Sequence, residues 1–338
     1  MKRLLALLIT IIMICTLWGC AETHKSNSEN TTVTKTETVA TSDEAKTEEV
    51  DKKESDVTPL LYKISDENGN CVWLLGTIHI GKDSFYPLPD YVLDAYNSAE
   101  ALAVECDMNA FENDLEAQTA AIMPLLYLDN TKIFDYVSEE VYETGVEVMT
   151  ELGFYSELMD FYKPIMWYSY IENAMTELAG GDSDLGIDQY FLDNAYDTGK
   201  EILEVESVQF QYELLANYSD KLQALLLEDI LYTYKEELDI YNEDINELMN
   251  MWARGDEEEL TEYMNAEPQY ETYEERMLYE EYNSALVTDR NIDMADFAEE
   301  MLKNGKEVFI CVGAAHVIGN DAMVELLTQR GYTVEIVR

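Results

Sequence analysis

Two histidines stand out because each ends the same short motif. His79 closes the tetrapeptide Gly76-Thr77-Ile78-His79, and His316 closes Gly313-Ala314-Ala315-His316. Each motif follows an apolar run, residues 71–75 and 308–312, with the length and composition of a buried strand. Because glycine permits a tight turn, both imidazoles are expected at the carboxyl ends of strands, where open α/β sheets bind ligands. A single histidine there is usually structural, but a matched pair favours a shared metal site, since neutral imidazole is a common metal ligand.

A carboxylate is needed to complete such a site, and two glutamates end predicted strands. Glu105 closes the strand at 101–105 and should point to the same rim as the histidines. Two imidazoles and one carboxylate leave coordination positions free for water and substrate, and a metal-bound water is a nucleophile near neutral pH. Glu206 closes the predicted strand at 200–206 and is expected to be a ligand, a general base or a support for a ligand. The alternative for either glutamate is a strand-end residue that faces solvent.

Arg290 lies in a stretch poor in positive charge, between Asp289 and Asn291 and ahead of a helix predicted over 292–303. One hypothesis is that it neutralises charge that develops on a substrate oxygen during catalysis. The other is that it forms an ion pair with nearby acids.

The surroundings of the two motifs are alike. After His79 come a predicted helix at 89–99 and a strand at 101–105; after His316 come a helix at 320–330, a stop at Gly331 and a strand at 333–337. This pattern predicts an α/β fold with a mixed or parallel central sheet, built from two β-GxxH-α-β units that bring both histidines to one edge. Residues 109–288, apart from the strand at 200–206, have helical spacing and form a predicted helical insertion.

The N-terminus resembles a bacterial lipoprotein signal. A basic start is followed by an apolar run over residues 4–18 and by Leu17-Trp18-Gly19-Cys20, so residues 1–20 are predicted to be the signal and Cys20 the lipidated residue. An uncleaved anchor is the alternative. Residues 21–57 are polar and predict a disordered tether, and residues 58–338 form the folded domain. Either way, the protein is expected outside the cytoplasm, attached to the membrane of the bacterial cell surface.

Composition restricts the partners. The net charge of −49 argues against nucleic acid, whose phosphates would be repelled, and favours cationic ligands. The three cysteines beyond the signal are in or beside predicted strands, which indicates packing thiols rather than disulfides; a cysteine nucleophile is the less supported option. The many tyrosines of the insertion are either half-buried packing or the lining of a groove for an extended peptide.

Residues from about 60 to 337 resemble the TraB/GumN family, whose relatives include the Tiki proteins. The matching segments occur in the same order along the chain: 73–81, 104–105, Gly186-Ile187-Asp188, Gly199-Lys200, 205–206 with Gln211, 252–256, Asp289-Arg290-Asn291 and 312–319. The resemblance implies a metal-dependent peptidase-like site made of His79, His316 and Glu105, with Arg290 and Glu206 nearby. It also implies manganese or cobalt as the divalent metal, with zinc as a further option. Val205-Glu206-Ser207 stands where Leu-Glu-Thr is typical, and the insertion is unusually acidic.

Two functions are consistent with these observations. The first is a surface-tethered, metal-dependent hydrolase that acts on peptides. The second is a non-catalytic module of the same fold that sequesters a peptide or similar ligand. They differ in whether loss of both histidines abolishes function.

Overall fold

The computed structural model describes residues 55–266, 268, 270 and 272–338. The predicted signal, Cys20 and the tether up to residue 54 lie outside the described residues. Val57, the last residue assigned to the tether, is buried, with 4% of its surface exposed. In the part of the chain that was described, no helix has both the length and the apolar character needed to cross a membrane.

One six-stranded sheet organises the described residues. Its strands are β1 (Leu61–Ser65), β2 (Cys71–Thr77), β3 (Ala101–Val104), β4 (Glu201–Glu204), β5 (Val308–Gly313) and β6 (Thr333–Val337). Their order across the sheet is β4-β3-β5-β2-β1-β6. Strand β1 is antiparallel to both of its neighbours, and the other pairs are parallel. The predicted α/β class with a mixed central sheet is therefore confirmed.

The middle strands are buried on both faces. Every residue of β3 and β5 is buried, as expected for the apolar runs that parallel strands require when helices cover both sides of a sheet. The edge strands β4 and β6 contain only partly buried and exposed residues. The ends of β2 and β5, which precede the two histidines, therefore belong to the packed centre of the sheet.

Fourteen α-helices lie within the described residues. They are α1 (Asp90–Ser98), α2 (Met108–Glu112), α3 (Leu115–Ile122), α4 (Glu139–Glu151), α5 (Pro164–Leu178), α6 (Ile187–Thr198), α7 (Val208–Ala216), α8 (Asp220–Glu236), α9 (Leu238–Arg254), α10 (Glu257–Met264), α11 (Tyr273–Asn283), α12 (Asp289–Asn304), α13 (Ala314–Val317) and α14 (Met323–Gln329). Short 3₁₀ turns occur at Asp83–Phe85, Met123–Leu125, Ile133–Asp135, Glu157–Phe161 and Ser183–Leu185, and a π-helical turn spans Ser284–Thr288.

The two β-GxxH-α-β units predicted around the histidines are present, but the two strands of each unit are not neighbours in the sheet. In the first unit, α1 connects β2 to β3, and β5 lies between these strands. In the second, α14 connects β5 to β6, and β2 and β1 lie between them. Because β1 is antiparallel to both β2 and β6, all the strands of both units point the same way. The insertion between the units is mainly helical, with α5 packed on α4, α8 and α9, but α6 and β4 within it pack on β3.

Several local predictions can be compared with the structure. Gly331 follows α14 with φ 94°, so it is a left-handed helix stop as predicted, and Gly199 ends α6 in the same way with φ 69°. The helix predicted over 292–303 begins earlier, at Asp289, which places Arg290 inside a helix. The helix predicted over 320–330 begins later, at Met323. Cys71, Cys106 and Cys311 are free thiols, as predicted.

Candidate functional site

The two Gly-x-x-His motifs lie side by side because β2 and β5 are adjacent and parallel. Thr77 pairs with Gly313, and Gly76 with Val312, so the strands end together. His79 follows β2 in a loop, and His316 lies in the short helix α13, fully buried. The carboxyl ends of these two strands therefore bring both imidazoles to one place.

The glycines of the motifs allow close approach of neighbouring groups. Neither Gly76 nor Gly313 is among the glycines with positive φ. A Cβ on Gly76 would lie 3.1 Å from Cα of Ala314, so glycine lets α13 pack against β2. A Cβ on Gly313 would lie 3.4 Å from Oε1 of Glu105, 3.6 Å from Nε2 of His79 and 3.7 Å from Cδ2 of His316. The missing side chain of Gly313 thus leaves a small space bordered by all three predicted ligands.

His79 is oriented by Asp188, which lies in the first turn of α6. Its Nδ1 is 3.0 Å from Oδ2 of Asp188, and its Nε2 is 4.0 Å from Oε1 of Glu105. The start of α6 is held close to the loop because the Ile187 N–H donates to the carbonyl of Ile78. Burial acts to lower the pKa of His79, but the charge and hydrogen bond of Asp188 outweigh it and raise the pKa to about 9.

His316 is oriented by Asn291, on helix α12. Its Nδ1 is 2.7 Å from Oδ1 of Asn291, and the amide Nδ2 of Asn291 donates to the backbone carbonyl of Asp321 at 3.0 Å. The buried Nε2 of His316 has no hydrogen-bond partner among the described residues. Burial, followed by the nearby charge of Arg290, lowers the pKa of His316 to about 3, so this imidazole is neutral.

Glu105 connects the histidines to a buried arginine. Its Oε1 accepts a hydrogen bond from the Gly313 backbone N–H at 2.7 Å. Its Oε2 accepts from Nη2 of Arg290 at 2.7 Å and from Nε2 of Gln211 at 3.1 Å. Although burial raises the pKa of Glu105, the charge of Arg290, together with His79 and the hydrogen bond from the Gly313 N–H, holds the pKa well below its usual range, so Glu105 is ionised.

Arg290 is 2% exposed and is surrounded by acceptors. Its Nε and Nη2 donate to the two oxygens of Glu206 at 2.7 and 2.8 Å, and Nη2 also donates to Glu105. Its Nη1 donates to the carbonyl of Leu286, within the π-helical turn that precedes α12, at 3.0 Å. Four of the five N–H groups of the guanidinium are thereby used, and both oxygens of Glu206 are occupied. Of the two hypotheses for Arg290, the geometry matches an ion pair, but with Glu105 and Glu206.

Sequence reasoning assigned no role to Asp188, Asn291 or Gln211, which hold the predicted site residues in place. All three lie in segments that carry the family resemblance, and that was the signal available for them. A cysteine nucleophile is disfavoured, because burial raises the pKa of Cys106 and of Cys311 and keeps both as thiols.

Within the described ranges, no group of three or more His, Cys, Asp or Glu side chains has the geometry of a metal site. The chemistry of the donors nevertheless fits a divalent ion. Nε2 of His316 is buried without a partner, and Nε2 of His79 and Oε1 of Glu105 border the same space beside Gly313. Buried polar atoms are rarely left without a hydrogen bond, so an unpaired nitrogen next to this space needs an explanation, which a bound ion supplies. His79, His316 and Glu105 are the residues that would hold it.

The fold and the site define an α/β protein with paired strand-end histidines beside a buried glutamate–arginine cluster. The chain belongs to the TraB/PrgY/gumN family, which it matches over residues 60–336. It is similar to the uncharacterized protein YbaP of Escherichia coli (strain K12), with 24% identity over 260 residues that cover 75% of this chain and 86% of that protein. The uncharacterized YbaP of Shigella flexneri is similar to the same extent. No solved structure matches the chain.

Proposed function

We propose that this protein is a metal-dependent hydrolase that acts on peptides. One observation carries the proposal: Oε1 of Glu105, Nε2 of His79 and Cδ2 of His316 border the space that Gly313 leaves open, and Nε2 of His316, bonded to that Cδ2, is buried without a partner. Two imidazoles and one carboxylate are a donor set that holds a catalytic divalent ion and leaves other positions free. When bound, such an ion supplies Lewis acidity and makes water acidic enough to act as a nucleophile near neutral pH. Manganese or cobalt is the proposed metal, with zinc as the alternative.

The remaining polar residues of the site have supporting roles in this proposal. Arg290 uses most of its donors on Glu105, Glu206 and a backbone carbonyl, so it positions Glu105 rather than contacting the substrate. Glu206 has both oxygens held by Arg290, so it fixes the guanidinium and is not a free general base. Gln211 donates to both glutamates and joins them.

The substrate class and the location extend the proposal. A net charge of −49 favours a cationic peptide over an acidic one through long-range attraction. A lipid on Cys20 would hold the folded domain at the bacterial cell surface, outside the cytoplasm, where it meets extracellular peptides.

The alternative is a binding module of the same fold that sequesters a peptide without cleaving it. A specific observation favours it: Glu105 and Glu206 are both paired with Arg290, and Glu105 has hydrogen bonds on both oxygens. These contacts hold Glu105 in place from within the protein.

Metal titration followed by a cleavage assay separates the two functions. Manganese, cobalt and zinc are titrated calorimetrically into the metal-free wild type and into the His79→Ala/His316→Ala double variant, and each is then incubated with a library of cationic peptides. A hydrolase binds metal and cleaves peptides only with both histidines present. A binding module retains peptides equally well in both proteins, without cleavage; that result would reject the proposal.

A further inference from the structure

The two imidazoles of the site are held by chemically different partners. Nδ1 of His79 faces the carboxylate of Asp188, whereas Nδ1 of His316 faces the neutral amide of Asn291. In both cases Nδ1 is occupied, and the atoms that face Gly313 are Nε2 of His79 and, in His316, the Cδ2 bonded to Nε2. A carboxylate accepts with either oxygen, but an amide has one acceptor atom and one donor atom, so the orientation of Asn291 decides what it offers to His316.

The hydrogen-bond network fixes that orientation. The other polar atom of the Asn291 side chain is 3.0 Å from the backbone carbonyl oxygen of Asp321, which can only accept. The NH₂ group must therefore face Asp321, and the carbonyl Oδ1 must face His316. Because Oδ1 can only accept, Nδ1 of His316 must carry the proton, and Nε2 of a neutral His316 must carry a bare lone pair. The missing partner of Nε2 agrees with this deduction.

The turn that presents the Asp321 carbonyl is itself unusual. Asp321 has φ 54°, a left-handed conformation that costs a residue with a side chain about 1 kcal/mol. Its N–H donates to Oε2 of Glu325 on α14 at 2.8 Å, and the N–H of its neighbour Asn320 donates to Oδ1 of Asn265 at 2.7 Å. Backbone strain of this kind persists where surrounding contacts over-determine it, and it is found at functional sites.

We propose that Asn291 is a positioning residue which, held by the carbonyl of Asp321, fixes His316 as the Nδ1–H tautomer. Nε2 of His316 then offers a lone pair to a divalent ion, with no proton to displace. The role of this tautomer in binding a metal rests on the proposed metal-dependent function. The arrangement itself is a property of the metal-free protein and can be measured there.

The tautomer is measured by long-range ¹H–¹⁵N correlation NMR on the full chain with ¹⁵N-labelled histidine and no metal. The chain has three histidines, and the signals of His24, His79 and His316 are assigned by substituting each in turn. In the wild type, His316 is expected to show a protonated Nδ1 and a bare Nε2. In Asn291→Ala both nitrogens should show averaged shifts, because neither tautomer is then selected. Asn291→Asp keeps an acceptor beside Nδ1 and should retain the Nδ1–H form.

Metal affinity is the second readout, with manganese titrated into the same proteins. Asn291→Ala should bind manganese about 10- to 100-fold more weakly, the usual effect of removing a partner that orients a ligand. Asn291→Asp should recover part of the loss, because it keeps the acceptor for Nδ1 but cannot donate to the Asp321 carbonyl. Asn70→Ala is the matched control: it removes a different side-chain hydrogen bond to helix α12, to the carbonyl of Leu302, and should match wild type in both measurements.

The outcomes separate this inference from the proposed function. A protonated Nε2 on His316 in the wild type overturns the inference, as does an unchanged tautomer in folded Asn291→Ala. If the wild type binds manganese, an unchanged manganese affinity in folded Asn291→Ala overturns it as well. The expected tautomers in all variants together with no binding of manganese, cobalt or zinc by the wild type support the positioning of His316 and reject the metal-dependent function alone.

Discussion

Arg290 holds Glu206 with two hydrogen bonds, of 2.7 and 2.8 Å, from the Nε and Nη2 edge of its guanidinium. The same Nη2 reaches Glu105 at 2.7 Å, so one planar group keeps two buried carboxylates together. This arrangement needs the fork of an arginine, since lysine has a single nitrogen at the end of its chain.

Arg290→Lys is therefore expected to keep the charge of the cluster but lose its geometry. The variant should remain folded while its free energy of unfolding, measured by urea denaturation, falls by about 2 kcal/mol, because hydrogen bonds to buried carboxylates are lost. Manganese affinity should fall as well, since Glu105 is no longer held. Arg276→Lys is the control: Arg276 forms an exposed i,i+4 pair with Glu280, and its replacement should change stability by less than about 0.5 kcal/mol. Equal stability of the two variants would contradict the role given to Arg290.

Lipidation at Cys20 is a separate prediction about the cell surface. Cys20→Ala should abolish labelling by a fatty-acid analogue, because Cys20 is the residue predicted to carry the lipid. Cys15→Ala, within the apolar run of the predicted signal, is the matched control and should be labelled like the wild type. The readout is fluorescence of the labelled protein after gel separation. Equal labelling of wild type and Cys20→Ala would show that the anchor is not a lipid on this residue.

Glu172, on α5, makes stability depend on pH. Burial raises its pKa from the ordinary value of 4.5 to about 7, although the hydrogen bond from the Tyr168 hydroxyl, at 2.8 Å, acts to lower it. The folded state thus holds this proton more tightly than the unfolded state, so its contribution to stability is complete below pH 4.5 and is lost as pH rises to about 7. The loss is up to about 3 kcal/mol.

Glu172→Gln should remove this dependence while keeping an acceptor for Tyr168. The stability gained by the variant over wild type, from urea unfolding, should be near zero at pH 4.5 and largest at pH 8. Glu177→Gln, on the same helix but exposed, should follow the wild-type profile. A constant difference between Glu172→Gln and wild type over this pH range would show that Glu172 titrates normally.

The parts of the fold that were predictable are those set by local pattern. The apolar runs before His79 and His316 gave β2 and β5, and the glycines after α6 and α14 gave the helix ends, because each signal lies within a few residues of its effect. The order of the strands was not predictable, since the insertion of β5 between β2 and β3 depends on pairing between segments more than two hundred residues apart along the chain.

In the site, too, local sequence pattern predicted some features and contacts between distant segments determine the others. The strand ends predicted which residues would meet, but not how they are held, because the supporting contacts join distant segments. Asp188 is 109 residues from His79, and Gln211 is 106 residues from Glu105. Arg290 was predicted to lie ahead of a helix, whereas α12 includes it and its side chain bonds to the two buried glutamates. The spacing of residues along the chain does not predict a contact between side chains this far apart in sequence; the packed structure shows it.

Gly313→Ala is the sharpest test of the space between the predicted ligands. With φ −52° the residue tolerates a side chain, and the added Cβ would lie at ordinary contact distances, 3.4 to 3.7 Å, from Glu105, His79 and His316. The variant should therefore unfold within about 1 kcal/mol of wild type but bind manganese at least tenfold more weakly, because the methyl group occupies the space that the ion needs. Gly81→Ala makes the contrast, since its Cβ would overlap the carbonyl of Leu185 and should destabilise the fold itself. Calorimetric titration of folded Gly313→Ala with wild-type affinity would place any metal elsewhere.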